Sequence, residues 1–427
     1  MTSHQALALL GGPKTVEKPF SKYNTMGTAE KEAAIKVIES GNLSAFIARH
    51  GEYFNGGENV KGFERECETF FNVKHAITVN SWTSGLIVAV GAIDIEPGDE
   101  IIVSPWTMSA SATAILHWNA IPVFADIEEN TFCLDPKSIE ANITPYTKAI
   151  MVVDIFGQSA NMLEIMEIAK RYNLKVISDT AQAPGAIYNG RHAGTIGDIG
   201  GFSLNYHKHI HTGEGGVIVT NDDGLAEKCR LIRNHAEAIL EDRPEADLTN
   251  MVGYNFRLGE IECAIGREQL KKLPSLIKKR QDAAVRLNEG LKNLKGLQIP
   301  RVEPNSTHVY YVYSMILDIK KLGVKKEKIA EALRAEGMAA ISTKYVNVHQ
   351  LPIFQNKIAY GSKGFPWTAD FCKRDVSYEK GICPVAEYLQ ETSYLGFGMC
   401  QFDLDDQDLE NIIAAFQKVW ANLDKLK

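Results

Sequence analysis

The chain has 427 residues, of which 45% are hydrophobic and 23% are charged. This composition is typical of a globular protein with a large core, and it excludes disordered, collagen-like and coiled-coil chains. The formal net charge is −7, from 46 Lys and Arg against 53 Asp and Glu. No Lys- and Arg-rich block with interleaved aromatic residues occurs, so we expect no nucleic-acid partner.

The first ten residues lack the basic flank and the small-residue cleavage site of a signal peptide. No apolar run reaches the ~18 residues that a membrane span needs. The seven cysteines are scattered and include no Cys-x-x-Cys pair, which argues against a disulfide framework and a zinc site. These features predict a cytoplasmic protein with no membrane partner and no bound metal.

Hydrophobic periodicity predicts an amphipathic helix over residues 30–40 and a second helix over 63–71. Short Val- and Ile-rich runs then alternate with helix-like segments. These runs cover residues 76–79, 100–103, 122–125, 149–153, 175–178 and 216–220. Because strands that are buried on both faces read as continuous apolar runs, the alternation predicts an α/β fold with a mainly parallel sheet flanked by helices.

A long, Lys-rich helical pattern covers residues 268–294, and the next strand-like run is at 309–317. We place the domain change within this helix. The prediction is a large domain over residues 1–275 and a smaller C-terminal α+β domain over 276–427. The smaller domain would hold one or two strands, with helices at 325–336 and 406–426.

A lysine with three histidine neighbours precedes the last apolar run of the large domain. Lys208 is flanked by His207 and His209, with His211 close by, and a glycine-rich turn follows at 213–216. A lysine amine must lose its proton to attack an aldehyde, and neighbouring cationic groups help it to do so. The segment is compatible with a Schiff-base lysine, and by itself equally with a solvated basic loop.

Two further segments place polar residues at the ends of predicted strands. Asp179 follows the run at 175–178, where ligands of open α/β sheets bind, and a protonated pyridine nitrogen would suit a carboxylate there. Thr83 and Ser84 lie where the first strand passes into a helix, and free N–H groups at such a junction can bind phosphate. The alternative for both segments is simple helix capping.

Taken together in this order, these segments resemble the DegT/DnrJ/EryC1/StrS family of sugar aminotransferases, which depend on pyridoxal 5′-phosphate (PLP) and have aminotransferase fold type I. The resemblance covers nearly the whole chain. It is carried by residues 10–14, 62–64, 80–86, 104–107, 179–183, 212–216, 253–258, 264–266, 348–352 and 383–387. It implies a mainly parallel, seven-stranded-type sheet in the PLP-binding large domain.

The resemblance also assigns roles around the cofactor ring. Lys208 matches the lysine that forms the Schiff base with PLP and later shuttles a proton. Asp179 matches the carboxylate on the pyridine nitrogen, and Gln182 matches a glutamine near the phenolic oxygen. Trp106 stands where an aromatic residue stacks on the ring, although it could otherwise be a core residue.

For the phosphate, the family positions are those of Thr83, Ser84 and Ser203. Asn255 matches an asparagine that reaches the phosphate from the other subunit. The resemblance therefore implies a homodimer whose active sites are shared between the subunits.

Candidate substrate contacts are His209, Arg257, His349 and the loop at 46–54. Each of them has an alternative as a surface or packing residue. Asp154 departs from the family pattern, which often has a histidine at this position, and the departure concerns substrate contact and not the cofactor.

The leading hypothesis is an aminotransferase that moves an amino group from glutamate or glutamine to a nucleotide-linked keto-sugar, in polysaccharide or antibiotic-type amino-sugar biosynthesis. A lysine, and not a histidine, stands five residues before Gly213, which favours transamination over the dehydration of some relatives. The alternatives are a PLP-dependent sugar dehydratase, an aminotransferase of a cyclitol such as an inosose, and a nonenzymatic regulator with the same fold. A nicotinamide dehydrogenase is disfavoured because no Gly-x-Gly-x-x-Gly occurs.

Overall fold

The computed structural model describes residues 6–240 and 247–427. Two helices precede the sheet, α1 (Thr28–Ser40) and α2 (Glu58–Phe71). Both predicted helices are confirmed, and α2 begins five residues before its predicted start. Both helices pack against the long helix described below.

The large domain contains a seven-stranded sheet. Its chain segment has the strands β1 (His75–Val79), β2 (Glu100–Val103), β3 (Ile121–Phe124), β4 (Thr147–Val153), β5 (Lys175–Asp179), β6 (Ile187–Tyr188), β7 (Arg191–His192), β8 (Ile199–Ser203) and β9 (Gly216–Thr220). The sheet order is β1-β9-β8-β5-β4-β2-β3, and β6 and β7 form a separate hairpin. Only β9 runs antiparallel to its neighbours in the sheet.

All six apolar runs are strands of this sheet, so the predicted α/β architecture is confirmed. The sequence missed β8, because Gly200 and Gly201 interrupt its apolar pattern. Since the parallel strands end at the same edge of the sheet, Asp179 at the end of β5 and Ser203 at the end of β8 lie on one side of the molecule.

Helices cover the sheet and lead out of it. They are α3 (Trp82–Ala92), α4 (Ala110–His117), α5 (Pro136–Ala141), α6 (Met162–Tyr172), α7 (Asp223–Arg233), α8 (Ala236–Ile239) and α9 (Glu260–Leu291). α9 has 32 residues and continues through Pro274. No helix in the described part of the chain is long and apolar enough to cross a membrane.

The C-terminal part adds a second, antiparallel sheet. Its helices are α10 (Ile319–Leu322), α11 (Lys326–Ala335), α12 (Pro352–Gln355), α13 (Pro384–Tyr388) and α14 (Asp406–Trp420), and its strands are β10 (Leu297–Gln298), β11 (Tyr313–Leu317), β12 (Ile341–Ser342) and β13 (Tyr394–Phe397). The order is β10-β11-β13-β12. The sequence predicted one or two strands, since β10 and β12 have only two residues each and are too short to show a pattern.

The N-terminal residues pack into the C-terminal core and not into the large one. Leu7, Val16 and Phe20 belong to the apolar cluster that holds β11, β13 and α14. Glu336 is fully buried and accepts hydrogen bonds from the amide of Ala8 at 2.8 Å and from Nζ of Lys418 at 2.8 Å. The domain boundary at residue 275 stays a prediction, and this packing ties the start of the chain to the smaller domain.

Candidate active site

Lys208 lies in the turn between β8 and β9, at the edge where the parallel strands end. Its side chain is buried, and Nζ is 4.5 Å from the centroid of the Tyr311 ring. Burial lowers the pKa of the Lys208 amine to about 8, against the attraction of the Asp179 carboxylate. A fraction of the amine is therefore unprotonated near neutral pH, as attack on an aldehyde requires.

The Asp179 carboxylate lies at the end of β5 and is buried. Its Oδ1 accepts hydrogen bonds from Nε1 of Trp82 at 2.7 Å and from the amide of Ala181 at 3.2 Å. Its Oδ2 accepts from Oγ of Ser111 at 2.7 Å. The residues that follow Asp179 form turns and no helix, so the helix-capping alternative does not apply.

The first turn of α3 lies beside this carboxylate. Ser81 is the N-cap, and its Oγ accepts a hydrogen bond from the amide of Ser84 at 3.0 Å. The amides of Trp82 and Thr83 precede the first intrahelical bond and have no acceptor within the helix. Thr83 is exposed. This turn therefore offers free donors and a hydroxyl group to an anion.

Ser203 joins this turn through the sheet. It pairs with Gly216 of β9, and Gly216 also pairs with Val79, the last residue of β1. Because α3 begins three residues after Val79, the structure brings the predicted phosphate-binding residues Thr83, Ser84 and Ser203 to one edge.

Gln182 links the large domain to the C-terminal part. Its Oε1 accepts from the amide of Phe156 at 2.8 Å, and its Nε2 donates to the hydroxyl group of Tyr345 at 2.9 Å. Both ends of the amide are therefore held. Because Tyr345 accepts this bond, its own hydroxyl proton is available to another acceptor.

Trp106 has no exposed surface. Its Nε1 donates to Oδ1 of Asn347 at 2.7 Å, and its ring stacks on Phe132 at a centroid distance of 5.7 Å. Trp106 is therefore a core residue in this structure, which is the alternative named above. Its stacking on a cofactor ring stays a prediction.

A cavity of about 630 Å³ lies next to the Lys208 segment, because His207 and Tyr311 line it. Lys208 and Asp179 are not themselves among its lining residues. Its wall contains the aromatic residues Tyr23, Tyr206, Tyr311, Tyr345 and Phe402, and the basic residues Lys22 and His207. No acidic residue lines it. Aromatic walls suit the flat apolar faces of ring compounds, and the charge of Lys22 favours an anionic group.

Two predicted substrate contacts, His209 and His349, lie inside the protein, and their contact with substrate stays a prediction. His209 is fully buried and its Nε2 lies 2.8 Å from the carbonyl oxygen of Val309. His349 is fully buried and its Nε2 lies 3.0 Å from Oε1 of Glu387. Neither side chain lines the cavity, because both are held inside the protein by polar partners. Of the histidines next to Lys208, His207 is the one that reaches the cavity wall.

The turn that contains Asn255 and Arg257 lies beside the end of β1. The amide of Asn80 donates to the carbonyl oxygen of Phe256 at 2.8 Å. Asn255 is exposed, and its Oδ1 accepts from Nε of Arg257 at 2.7 Å. Neither side chain lines the cavity of its own subunit, so their roles in a shared site stay predictions.

Asp154 is fully buried near Asp179. Its carboxylate accepts from the amide of Ala160 at 3.0 Å and from Oγ1 of Thr180 at 2.6 Å. Burial raises the pKa of the Asp154 carboxyl group to about 7. These bonds make it a support of the turn after β4, and it does not face the cavity.

The sequence missed four residues of this site. Tyr311 and Tyr345 come from the C-terminal part, more than 100 residues after Lys208, and no local pattern connects them with it. Trp82 lies within the family motif at 80–86, and its indole N–H, a hydrogen-bond donor at a predicted binding turn, was a signal that could have identified it. Ser111 lies on α4 with no local signal.

The family model of the DegT/DnrJ/EryC1/StrS aminotransferase family matches residues 39–380. The chain belongs to this family. It is therefore an aminotransferase, and its family consists of PLP-dependent enzymes.

Relatives of this DegT/DnrJ/EryC1/StrS aminotransferase carry the names of different activities. It is 38% identical to the GDP-perosamine synthase of Caulobacter vibrioides over 66% of this chain and 75% of that protein. It is 30% identical to the L-glutamine:2-deoxy-scyllo-inosose aminotransferase of Streptoalloteichus tenebrarius over 99% of both chains. The crystal structure of the aminotransferase from Psychrobacter cryohalolentis superposes with a TM-score of 0.80 at 29% identity, covering 95% of this chain and 100% of that one.

Proposed function

We propose that this aminotransferase binds PLP through Lys208 and transfers an amino group from glutamate or glutamine to the keto group of a nucleotide-linked sugar. The observation that carries the proposal is the buried Lys208 amine beside a cavity without acidic residues, with its pKa lowered to about 8. Such an enzyme takes part in amino-sugar biosynthesis.

The residues around Lys208 fit PLP. The amine of Lys208 suits the aldehyde group, the Asp179 carboxylate suits the ring nitrogen, and the first turn of α3 suits the phosphate together with Ser203. When bound, PLP supplies an electron sink for the bonds at the amino carbon. Lys208 is the group that takes up and returns the proton at that carbon, since a general base must lie within reach of the reacting atom.

A second subunit completes this proposed site. Asn255 is exposed, and it does not line the cavity of its own chain. In a homodimer with shared sites, the side-chain amide of Asn255 would donate a further hydrogen bond to the phosphate of the PLP that the partner subunit binds.

The size and charge of the cavity support a nucleotide-linked acceptor. About 630 Å³ lies within the range that holds a drug-sized ligand and exceeds the need of a single six-membered ring. Lys22 offers positive charge to a diphosphate. Burial lowers the pKa of His207 to about 4, so its neutral ring offers an N–H donor and no charge. The tyrosines offer faces to a base or a sugar. The relative named GDP-perosamine synthase supports the same choice.

A cyclitol is the second candidate acceptor. The specific observation in its favour is the end-to-end match, 99% of both chains, with the 2-deoxy-scyllo-inosose aminotransferase. A cyclitol carries no phosphate, so the charge of Lys22 would have no counterpart in it.

The test begins with the visible absorption of the protein after addition of PLP. We expect a band that Lys208→Ala loses. Lys22→Ala, the same change at a lysine that lines the neighbouring cavity, should keep it. Addition of glutamate or glutamine should convert the band to the pyridoxamine form. A nucleoside-diphosphate-linked keto-sugar should then restore it.

The outcomes separate the candidates. Restoration by the inosose alone would replace the nucleotide-linked acceptor by the cyclitol. A band that persists in Lys208→Ala would overturn the role of Lys208. Binding of PLP with no conversion by either donor would exclude glutamate and glutamine as the amino donors.

A further inference from the structure

Trp82 occupies a notch that two glycines provide. It is the first residue of α3, and its side chain is buried. A Cβ atom at Gly201 would lie 2.2 Å from Cζ3 of Trp82, and one at Gly85 would lie 2.6 Å from Cε3. Neither glycine has a positive φ, so the nearby atoms, and not the backbone conformation, require glycine. At Gly85 these atoms belong to the indole, and at Gly201 they belong to the indole and to the carbonyl oxygen of Val217, which is also 2.2 Å from the Cβ position.

The indole in this notch is directed at Asp179. Nε1 of Trp82 donates to Oδ1 of Asp179 at 2.7 Å, and the amide of Ala181 donates to the same oxygen at 3.2 Å. Oδ2 receives one donor, Oγ of Ser111, at 2.7 Å. A carboxylate offers about four acceptor positions. Oδ1 is therefore fully used, while Oδ2 keeps one position.

The charge of Asp179 has no counter-charge in direct contact. Each donor that the described residues give to this carboxylate is uncharged. A buried carboxylate is stable when its hydrogen bonds are complete and an opposite charge is near. A protonated ring nitrogen would supply both the missing donor and the missing positive charge.

We propose that Trp82 is a positioning residue for Asp179, which fixes the carboxylate so that Oδ2 is the oxygen that accepts the ring N–H of the cofactor. This inference rests on the proposed function, because it concerns the orientation of the group that would hold PLP. Gly201 supports this position of Trp82, since a larger residue there would clash with the indole and with the carbonyl oxygen of Val217.

The test compares Trp82→Phe with Trp118→Phe. Phenylalanine fills the notch without a donor. Trp118 is a matched control, because its Nε1 also makes a 2.7 Å hydrogen bond, to the carbonyl oxygen of Ile87. We expect Trp82→Phe to weaken PLP binding about tenfold in equilibrium dialysis, the size expected for a lost bond to a charged group. Trp118→Phe should stay within about twofold of the unmodified protein.

A second readout distinguishes positioning from packing. The pH midpoint of the visible band of the PLP-loaded protein should shift in Trp82→Phe and not in Trp118→Phe, because only the former changes the environment of the Asp179 charge. Weaker binding with an unchanged midpoint would mean a packing role and would overturn the proposal. Unchanged binding and midpoint in Trp82→Phe would overturn it as well, while the proposed function would stand.

A measurement without PLP covers the case in which Trp82→Phe does not fold. The chain has five tryptophans, and Asp179→Asn should move one of their five indole N–H resonances in a nitrogen-15 spectrum. If none moves, the hydrogen bond is absent and the proposal fails. If the unmodified protein forms no Lys208-dependent band, the proposed function fails, and this inference fails with it.

Discussion

The ammonium group of Lys208 lies on the face of the Tyr311 ring, with Nζ 4.5 Å from the ring centroid. Lys208 belongs to the large domain, and Tyr311 lies two residues before β11 of the C-terminal sheet. The contact favours the charged amine through a cation–π interaction, while burial favours the neutral amine. The balance of the two determines how readily Lys208 reacts.

The reaction of Lys208 with PLP should depend on pH with a midpoint near 8, the value to which burial lowers its pKa. Below this pH the amine is protonated, so the rate of band formation should fall about tenfold per pH unit. Above it the rate should level off. Stopped-flow absorbance of the visible band measures this rate.

Two variants of Tyr311 test the origin of this midpoint. Tyr311→Leu removes the ring face and should move the midpoint to lower pH, because the charged amine loses its partner. Tyr311→Phe keeps the face and should leave the midpoint close to 8. Equal midpoints in both variants would show that the ring does not influence the amine.

Tyr345→Phe should lower kcat/KM about five- to tenfold. The change leaves Nε2 of Gln182 without the acceptor that now lies at 2.9 Å, and a lost hydrogen bond of this kind costs about 1 kcal/mol. Steady-state kinetics with the identified acceptor measures the effect. Tyr172→Phe is the control, because its hydroxyl group also makes a hydrogen bond, to Glu140, but on the surface. Equal losses in both variants would contradict a role for Tyr345 in the site.

His349→Ala should destabilise the protein by about 2–4 kcal/mol, through the cavity left behind and the loss of a partner for the buried Glu387. KM for either substrate should not change, since His349 does not line the cavity. Urea denaturation and steady-state kinetics together check both statements. A raised KM at unchanged stability would identify His349 as a substrate contact.

Asp154→Asn should make the stability of the protein less dependent on pH between about 4 and 7. Burial raises the pKa of Asp154 from 3.8 to about 7 in the folded state, so the folded state binds the proton more tightly than the unfolded state. Stability from this group is present at low pH and is lost as pH rises, by at most about 1.4 kcal/mol per unit.

Urea denaturation at pH 5 and pH 8 tests this expectation. Asparagine can still accept from the amide of Ala160 and can donate to Thr180, so the fold should survive. Glu39→Gln, a change of an exposed acid on α1, is the comparison. An identical pH dependence in the unmodified protein and in Asp154→Asn would contradict the raised pKa.

Much of the large domain could be predicted from the sequence. Its strands are buried on both faces, so each one is a run of apolar residues, and β2 and β9 were predicted with their observed bounds. Lys208, Asp179 and the turn of α3 were found because each follows or precedes such a run. At these positions, a residue type suited to the chemistry stands next to a strand that the sequence pattern predicts.

The C-terminal sheet was harder to predict, because a two-residue strand such as β10 or β12 carries no periodicity. The histidines show the same limit at the level of the site. His207 and His209 are neighbours of Lys208 in sequence, yet one lines the cavity and the other is bonded inside the protein. Sequence proximity does not indicate the direction of a side chain in a turn.

By itself, the sequence determined the fold class, the family and the residues that lie at the ends of the buried strands, because these depend on local patterns of apolar and polar residues. Only the tertiary structure decided which side chains from distant segments meet them. Tyr311 and Tyr345 reach Lys208 and Gln182 because the C-terminal part packs against the large domain. Trp82 on α3 reaches Asp179 at the end of β5 because Gly201 on β8 leaves room for its indole. This complementarity exists only once the chain has folded.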